Sequence, residues 1–177
     1  MLNSAKKVNR AFTIIEVLIV LVVLAVLTII ILSSIDAVQQ IARSRDTGRI
    51  SNILQLGRGL SAYYVARNGN YPSQDASWVT TLKASKEIAT VPANPSYALI
   101  GGGFPGCGAG HANEDNWCYA LSGSFAVAYV PLNAKANNSK CAGQGEQSYI
   151  VYATRAGRAG IMCSIPSPSE DGGSFIE

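Results

Sequence analysis

The sequence predicts an α+β protein in which a long N-terminal α-helix carries a small antiparallel β-sheet on its second half. Three observations predict it. Phe12 to Leu32 is an apolar run of 21 residues whose only polar side chains are Thr13, Glu16 and Thr28. No Pro occurs between residues 12 and 71, and the first Gly is Gly48, so nothing breaks a helix through that stretch. Strand-like alternation is confined to the chain after residue 116.

Composition narrows the class. With 48% hydrophobic residues in 177, the chain has too much apolar surface to be mainly disordered. Its 17 Gly and 7 Pro lack a G-X-Y period, which excludes a collagen-like rod. Of 14 Lys and Arg, Lys6, Lys7 and Arg10 precede residue 12; the remaining eleven balance 11 Asp and Glu. A neutral body offers no electrostatic footprint for nucleic acid, and no such partner is expected.

At roughly 1.5 Å per residue, the run from Phe12 to Leu32 spans the ~30 Å hydrocarbon core of a bilayer. The basic residues before it place the N-terminus in the cytoplasm and the body outside. A secretory signal peptide has the same basic-then-apolar order, but the sequence Leu32-Ser33-Ser34-Ile35-Asp36-Ala37 makes a poor cleavage site, so a retained helix is the better reading. Glu16 is not explained by a plain anchor. A carboxylate in such a helix costs up to about 2.5–3.5 kcal/mol at central depth. Either it sits shallow and is snorkelled or protonated, or a neighbouring chain supplies an opposite charge.

The basic leader, the small Ala11 and the sequence Phe12-Thr13-Ile14-Ile15-Glu16 at the head of a β-branched-rich run resemble the class III signal of type IV pilins and pseudopilins. The resemblance implies cleavage by a prepilin peptidase between Ala11 and Phe12 and methylation of the new N-terminal Phe12. It also implies that Glu16 pairs with the α-amino group of an adjacent subunit during assembly. Ala11 departs from the Gly usual before the cut; as the next smallest side chain it is expected to slow cleavage rather than prevent it. The implied partners are further copies of the chain or a mixed pilin filament, the peptidase, the membrane assembly machinery, and lipid before assembly. The implied location is the cytoplasmic membrane, then an extracellular or periplasmic filament. A pilin-like head follows from the same resemblance, which continues loosely to about Pro72.

Beyond Leu32 the helix turns amphipathic. Ile50, Ile53, Gly57, Leu60 and Tyr64 follow one face with Leu54 beside it, while Arg43, Arg45, Arg49, Arg58 and Arg67 lie largely off it. Those arginines, interspersed with Asp36 and Asp46, read as a solvated or subunit-bridging face. Gly57 and Gly59 each weaken a helix by about 1 kcal/mol; on the apolar face, Gly57 suggests close packing against sheet backbone. Asn68-Gly69-Asn70 before Tyr71-Pro72 is a strong stop. One continuous helix of about 55 residues, roughly 80–85 Å, is expected, with its hydrophobic half protruding.

Residues 73–116 read as loop, with a short helical turn from Trp78 to Leu82 and an extended linker from Val91 to Pro95. The Gly101–Gly110 stretch lacks the Gly-Lys-Ser/Thr ending of a phosphate loop and reads as turns. Trp117–Leu121 and Ser124–Val130 form a hairpin, Gln147–Thr154 a third strand and Ile161–Ile165 a fourth. The expected organisation is a leader (1–11), an assembly helix (12–33), its amphipathic half (34–70), a head (71–165) and a mobile tail (166–177).

Cys107, Cys118, Cys141 and Cys163 all lie in the extracytoplasmic body and read as two disulfides. Of three connectivities, Cys107–Cys118 and Cys141–Cys163 are preferred, since each closes a loop leading into a predicted strand. His111 is the only His and no CxxC-like pair occurs, so neither a metal nor a cofactor is expected. Glu114-Asp115 and Glu170-Asp171 read as solvated loop charges rather than calcium ligands. No catalytic set stands out, and an enzyme is not expected. The leading expectation is a structural filament subunit. The alternatives are a pseudopilin of a type II secretion system, or a minor or tip pilin in adhesion or DNA uptake, with Trp117 and Tyr119 as candidate contacts.

Overall fold

The computed structural model describes residues 13–33, 36–97, 103–145 and 147–176. The chain divides into two units, Met1–Ala37 and Val38–Glu177. The first contains helix α1 (Ile14–Ser33), whose described side chains are all exposed. The second holds α2 (Ala37–Ala66) from Val38 onward and builds an α+β head upon it.

Residues 34–35, through which the expected single helix runs, lie outside the described residues; α1 ends at Ser33, and Asp36 stands just before α2. Asp favours the N-cap over a helix interior because its carboxylate competes for backbone N–H groups. Asp36 stands immediately before α2, and Gln39 follows three residues later in the capping-box spacing. At the other end, Asn68 takes the left-handed position (φ 53°) and Gly69 N–H donates to Tyr64 O at 2.9 Å. That is a Schellman stop with Asn68, not Gly69, as the first left-handed residue.

The head's sheet is an antiparallel meander in the order β1 (Ala112–Glu114), β2 (Trp117–Ser122), β3 (Phe125–Pro131), β4 (Tyr149–Ala153), β5 (Arg158–Met162). Helices α3 (Trp78–Ala84) and α4 (Lys135–Asn138) lie in the connections. Ser122 pairs with Phe125 across Gly123-Ser124, and a positive φ at Gly123 alone fits a II′ turn. Glu114 pairs with Trp117 across Asp115-Asn116, both at positive φ, as a I′ turn requires. Strand β1 was read as loop because Ala-Asn-Glu carries no apolar alternation. The fourth strand of the reading is shifted: pairing runs over Arg158–Met162, not Ile161–Ile165. The tight turn ending at Gly157 (φ 64°) returns the chain beside β4 at once, so Ala153 already pairs with Arg158.

Both sheet faces are covered, which is why β2, β3 and β4 read as nearly continuous apolar runs. On one face Trp117, Tyr119, Ala128, Val130, Ile150 and Tyr152 meet Ile53, Leu56 and Leu60 of α2 and Trp78, Val79 and Leu82 of α3. On the other, Cys118, Val127, Tyr129, Val151 and Met162 are covered by Phe104, Cys107 and Phe175. The segment after residue 165, expected to be mobile, is docked. Phe175 packs on the second face and Ile176 forms a bridge with Ile161, because that face is otherwise apolar and open to water.

Gly57 sets the approach of helix to sheet. A Cβ there would lie 2.1 Å from the Tyr152 ring, and one at Gly59 would lie 2.6 Å from Ile88. Gly57→Val is expected to destabilise the head by about 1–3 kcal/mol through overpacking, read as a lowered urea midpoint of the detergent-solubilised chain.

Candidate functional site

The residues with a specific chemical role begin at the start of α1. Thr13 is the residue before the helix and Glu16 lies in its first turn. Glu16 N–H donates to Thr13 Oγ1, while Thr13 N–H and its hydroxyl donate to Glu16 Oε2, each at 3.3 Å. Thr-x-x-Glu is therefore a reciprocal capping box, and its carboxylate lies at the positive end of the helix dipole. Both bonds to the carboxylate use Oε2. From Glu16 onward α1 has no other acidic and no basic residue, so this carboxylate is the one fixed charge on an apolar cylinder. Twenty residues at about 1.5 Å each reach ~30 Å, the thickness of a bilayer core. Ala11 and Phe12, the expected cleavage and methylation positions, lie outside the described residues.

Residues 6–32 match the family model described as the prokaryotic N-terminal methylation motif. The methylation motif covers Lys6, Lys7 and Arg10, the Ala11–Phe12 step, Glu16 and the apolar run, and it supports a precursor of the type IV pilin-like or pseudopilin kind. The apolar helix and the motif together fit a membrane-anchored precursor. The head lies beyond the motif, and no curated protein or solved structure is significantly similar to the chain.

In the head, charges read as solvated are structural. Arg49, expected on a solvated face, is fully buried with Asp46, their Nη1–Oδ1 distance being 2.7 Å. Asp46 also accepts from the backbone N–H of Asn133 and Ala134 and from Asn137 Nδ2, at 2.7–3.1 Å. Arg49 donates to Asn94 Oδ1 and Pro95 O and stands 3.9 Å over the Tyr97 ring. Burial holds the Tyr97 hydroxyl well above its usual pKa, so it stays protonated and donates to Pro131 O. The pair ties α2 to two loops remote in sequence. The signal that betrays it is spacing: Asp46 and Arg49 continue the stripe of Ile53 and Leu56 toward the N-terminus.

Glu114, expected to be a solvated loop charge, is also buried. It accepts hydrogen bonds from Val79 N–H, Thr80 N–H and the Thr80 hydroxyl, at the start of α3. Ser77 makes no side-chain cap there, so the carboxylate comes from the sheet instead. Trp117 and Tyr119, candidate surface contacts, are fully buried; Nε1 of one donates to Pro92 O and the hydroxyl of the other to Pro72 O, each at 2.9 Å.

The disulfides are Cys107–Cys118 and Cys141–Cys163, the preferred pairing. Next to the first, Gly108 N–H donates to the Tyr129 hydroxyl at 2.7 Å, and His111 Nδ1 lies 2.6 Å from the same oxygen. With the amide as donor, the hydroxyl is free to donate to a neutral His111. Burial lowers the His111 pKa and pushes the Tyr129 hydroxyl up to about 12.

Two outcomes follow from these contacts. Arg49→Ala leaves a buried carboxylate without its cation and is expected to cost about 3–5 kcal/mol, seen as a lowered urea midpoint, with Arg49→Lys losing less. For His111 the folded pKa is below the unfolded value of about 6.5. Its contribution is therefore complete above that value and lost as pH falls through the folded pKa. His111→Gln should flatten this part of the pH dependence of the urea midpoint between neutral pH and about pH 5.

Proposed function

We propose that the chain is a structural subunit of a type IV pilus-like filament, anchored in the membrane by α1 before it polymerises. The observation that carries this is the methylation motif over residues 6–32 at the head of an exposed, apolar, membrane-length helix. A helix apolar on every side needs lipid or copies of itself around it. Burying such helices against one another is the driving force of polymerisation in this reading.

Processing makes the charges work. A cut between Ala11 and Phe12 removes Lys6, Lys7 and Arg10 and leaves one α-ammonium on Phe12, beside Thr13. In an apolar bundle an ammonium and a carboxylate stabilise each other, whereas either alone is costly. Glu16 is held by Thr13 through Oε2, which leaves Oε1 to meet the ammonium of an adjacent subunit. The meeting point fixes the stagger between neighbouring helices. The positive-inside rule sets the topology of the precursor, with the leader cytoplasmic and the disulfide-bonded head outside.

The experiment has two stages. Mass spectrometry of the protein from cells that make a prepilin peptidase should find an N-terminal methylated Phe12; a full-length chain starting at Met1 would overturn the reading. Surface imaging with antibody to the head should then find filaments in which the chain is abundant, whereas periplasmic location alone would favour a secretion pseudopilus. Glu16→Gln and Glu16→Ala should leave the subunit in the membrane and reduce filament yield by an order of magnitude or more, on the scale of ~1.4 kcal/mol per tenfold.

A further inference from the structure

Strand β5 is the edge of the sheet, and the chain after residue 165 returns to cover it. Arg155 donates to Ser169 O at 3.3 Å and Arg158 Nη2 to Gly172 O at 3.0 Å. Gly172, buried at φ 85°, turns the chain back toward β5. Phe175 then packs against Gly160, where a Cβ would come within 2.2 Å of the ring, and under the Arg158 guanidinium at 5.0 Å. Ile176 N–H donates to Ile161 O at 2.8 Å, a contact that resembles a strand pairing. Among the described residues the cover is thus an aromatic ring in a glycine notch, two arginine contacts and one bridge.

What lies beneath it is a good template. Ile161 O points away from β4, so by alternation the N–H and C=O groups of Ala159 and Ile161 form the outward row of β5. An unguarded row of that kind pairs with other strands. The opposite edge, β1, has three residues and is protected by its length, whereas β5 has five. Two copies of β5 laid antiparallel about Gly160 would pair Ala159 with Ile161 twice, in the hydrogen-bonded register. Arg158 would then face Met162 rather than another arginine, and Gly160 would meet Gly160 at the centre of the pairing. The strand is self-complementary in register and in charge, as an isologous contact must be.

We infer that residues 172–176 form a guard on the β5 edge, and that lifting the guard lets β5 pair with β5 of a second copy. The closed guard keeps heads from joining sheet to sheet, so that contact between copies is left to other surfaces. The inference concerns the head alone and requires neither cleavage of the leader nor bundling of α1.

The test compares the full chain with a Phe175→Ala/Ile176→Pro double variant in the same detergent. Together the substitutions remove the ring and the N–H that hold the guard. Light scattering should show the protein mass per micelle doubling in the variant. Hydrogen exchange should quicken across residues 172–176 and slow, with rising protein concentration, at Ala159 and Ile161. Arg158→Gln, at an exposed position, is the milder second variant and should give an intermediate dimer fraction. Either variant overturns the inference if its guard opens while the chain stays single. It is also overturned if residues 172–176 keep their protection in the double variant, or if the unmodified chain dimerises to the same extent.

Discussion

The head depends on how closely α2 can approach the sheet. Gly57 lets the Tyr152 ring lie where any side chain would stand, and Gly59 does the same for Ile88. With the helix seated at that distance, Ile53, Leu56 and Leu60 reach the inner face of the sheet and become fully buried. The Tyr152 hydroxyl meets Ser61 Oγ at 3.2 Å, which fixes the helix along its axis as well as across it. Everything else on that face, including the Trp78–Tyr119 stack, is arranged around this seat. A helix interior gives up stability at each glycine, and the loss is offset by apolar area that no larger residue would allow to be buried.

Three carboxylates with very different surroundings do one kind of work. Glu16 closes the first turn of α1, Glu114 reaches from the sheet to the first turn of α3, and Asp46 collects the N–H groups of Asn133 and Ala134 at the entry to α4. Each meets the unsatisfied donors that a helix start leaves behind. Asp46 differs in being fully desolvated with Arg49, so its pairing is a condition of burial more than a gain in stability. Glu16 differs in lying on a helix whose described side chains are all exposed, and the partner proposed for it belongs to another copy.

The two units therefore answer opposite demands. The head covers both faces of its sheet, guards its longer edge with the last residues and closes two loops with disulfides. The N-terminal helix has none of these devices, and its exposed apolar surface is reasonable only in a medium of lipid or of like helices. A subunit proposed to polymerise through one end gains from a head whose sheet faces are both covered.

The α+β class, the apolar helix, the amphipathic stripe of α2, the central hairpin and the two disulfides were legible in the chain, because each rests on periodicity, turn chemistry or cysteine arithmetic within a short window. Glu16 was legible because it is a lone charge in an apolar run, and the motif over residues 6–32 is contiguous. The burial of Arg49, the capping role of Glu114, the three residues of β1, the start of β5 and the docking of Phe175 were not. Asp46 meets Asn133 and Ala134, Thr80 meets Glu114, and Gly160 meets Phe175. A charge reads as solvated until a distant backbone supplies its donors, and a tail reads as mobile until a sheet offers it an apolar seat. Local pattern determined which segments would be helix or strand and where chemistry would concentrate. Burial is a property of surfaces brought together from far along the chain, so only the tertiary structure decided which charges and which glycines would hold it.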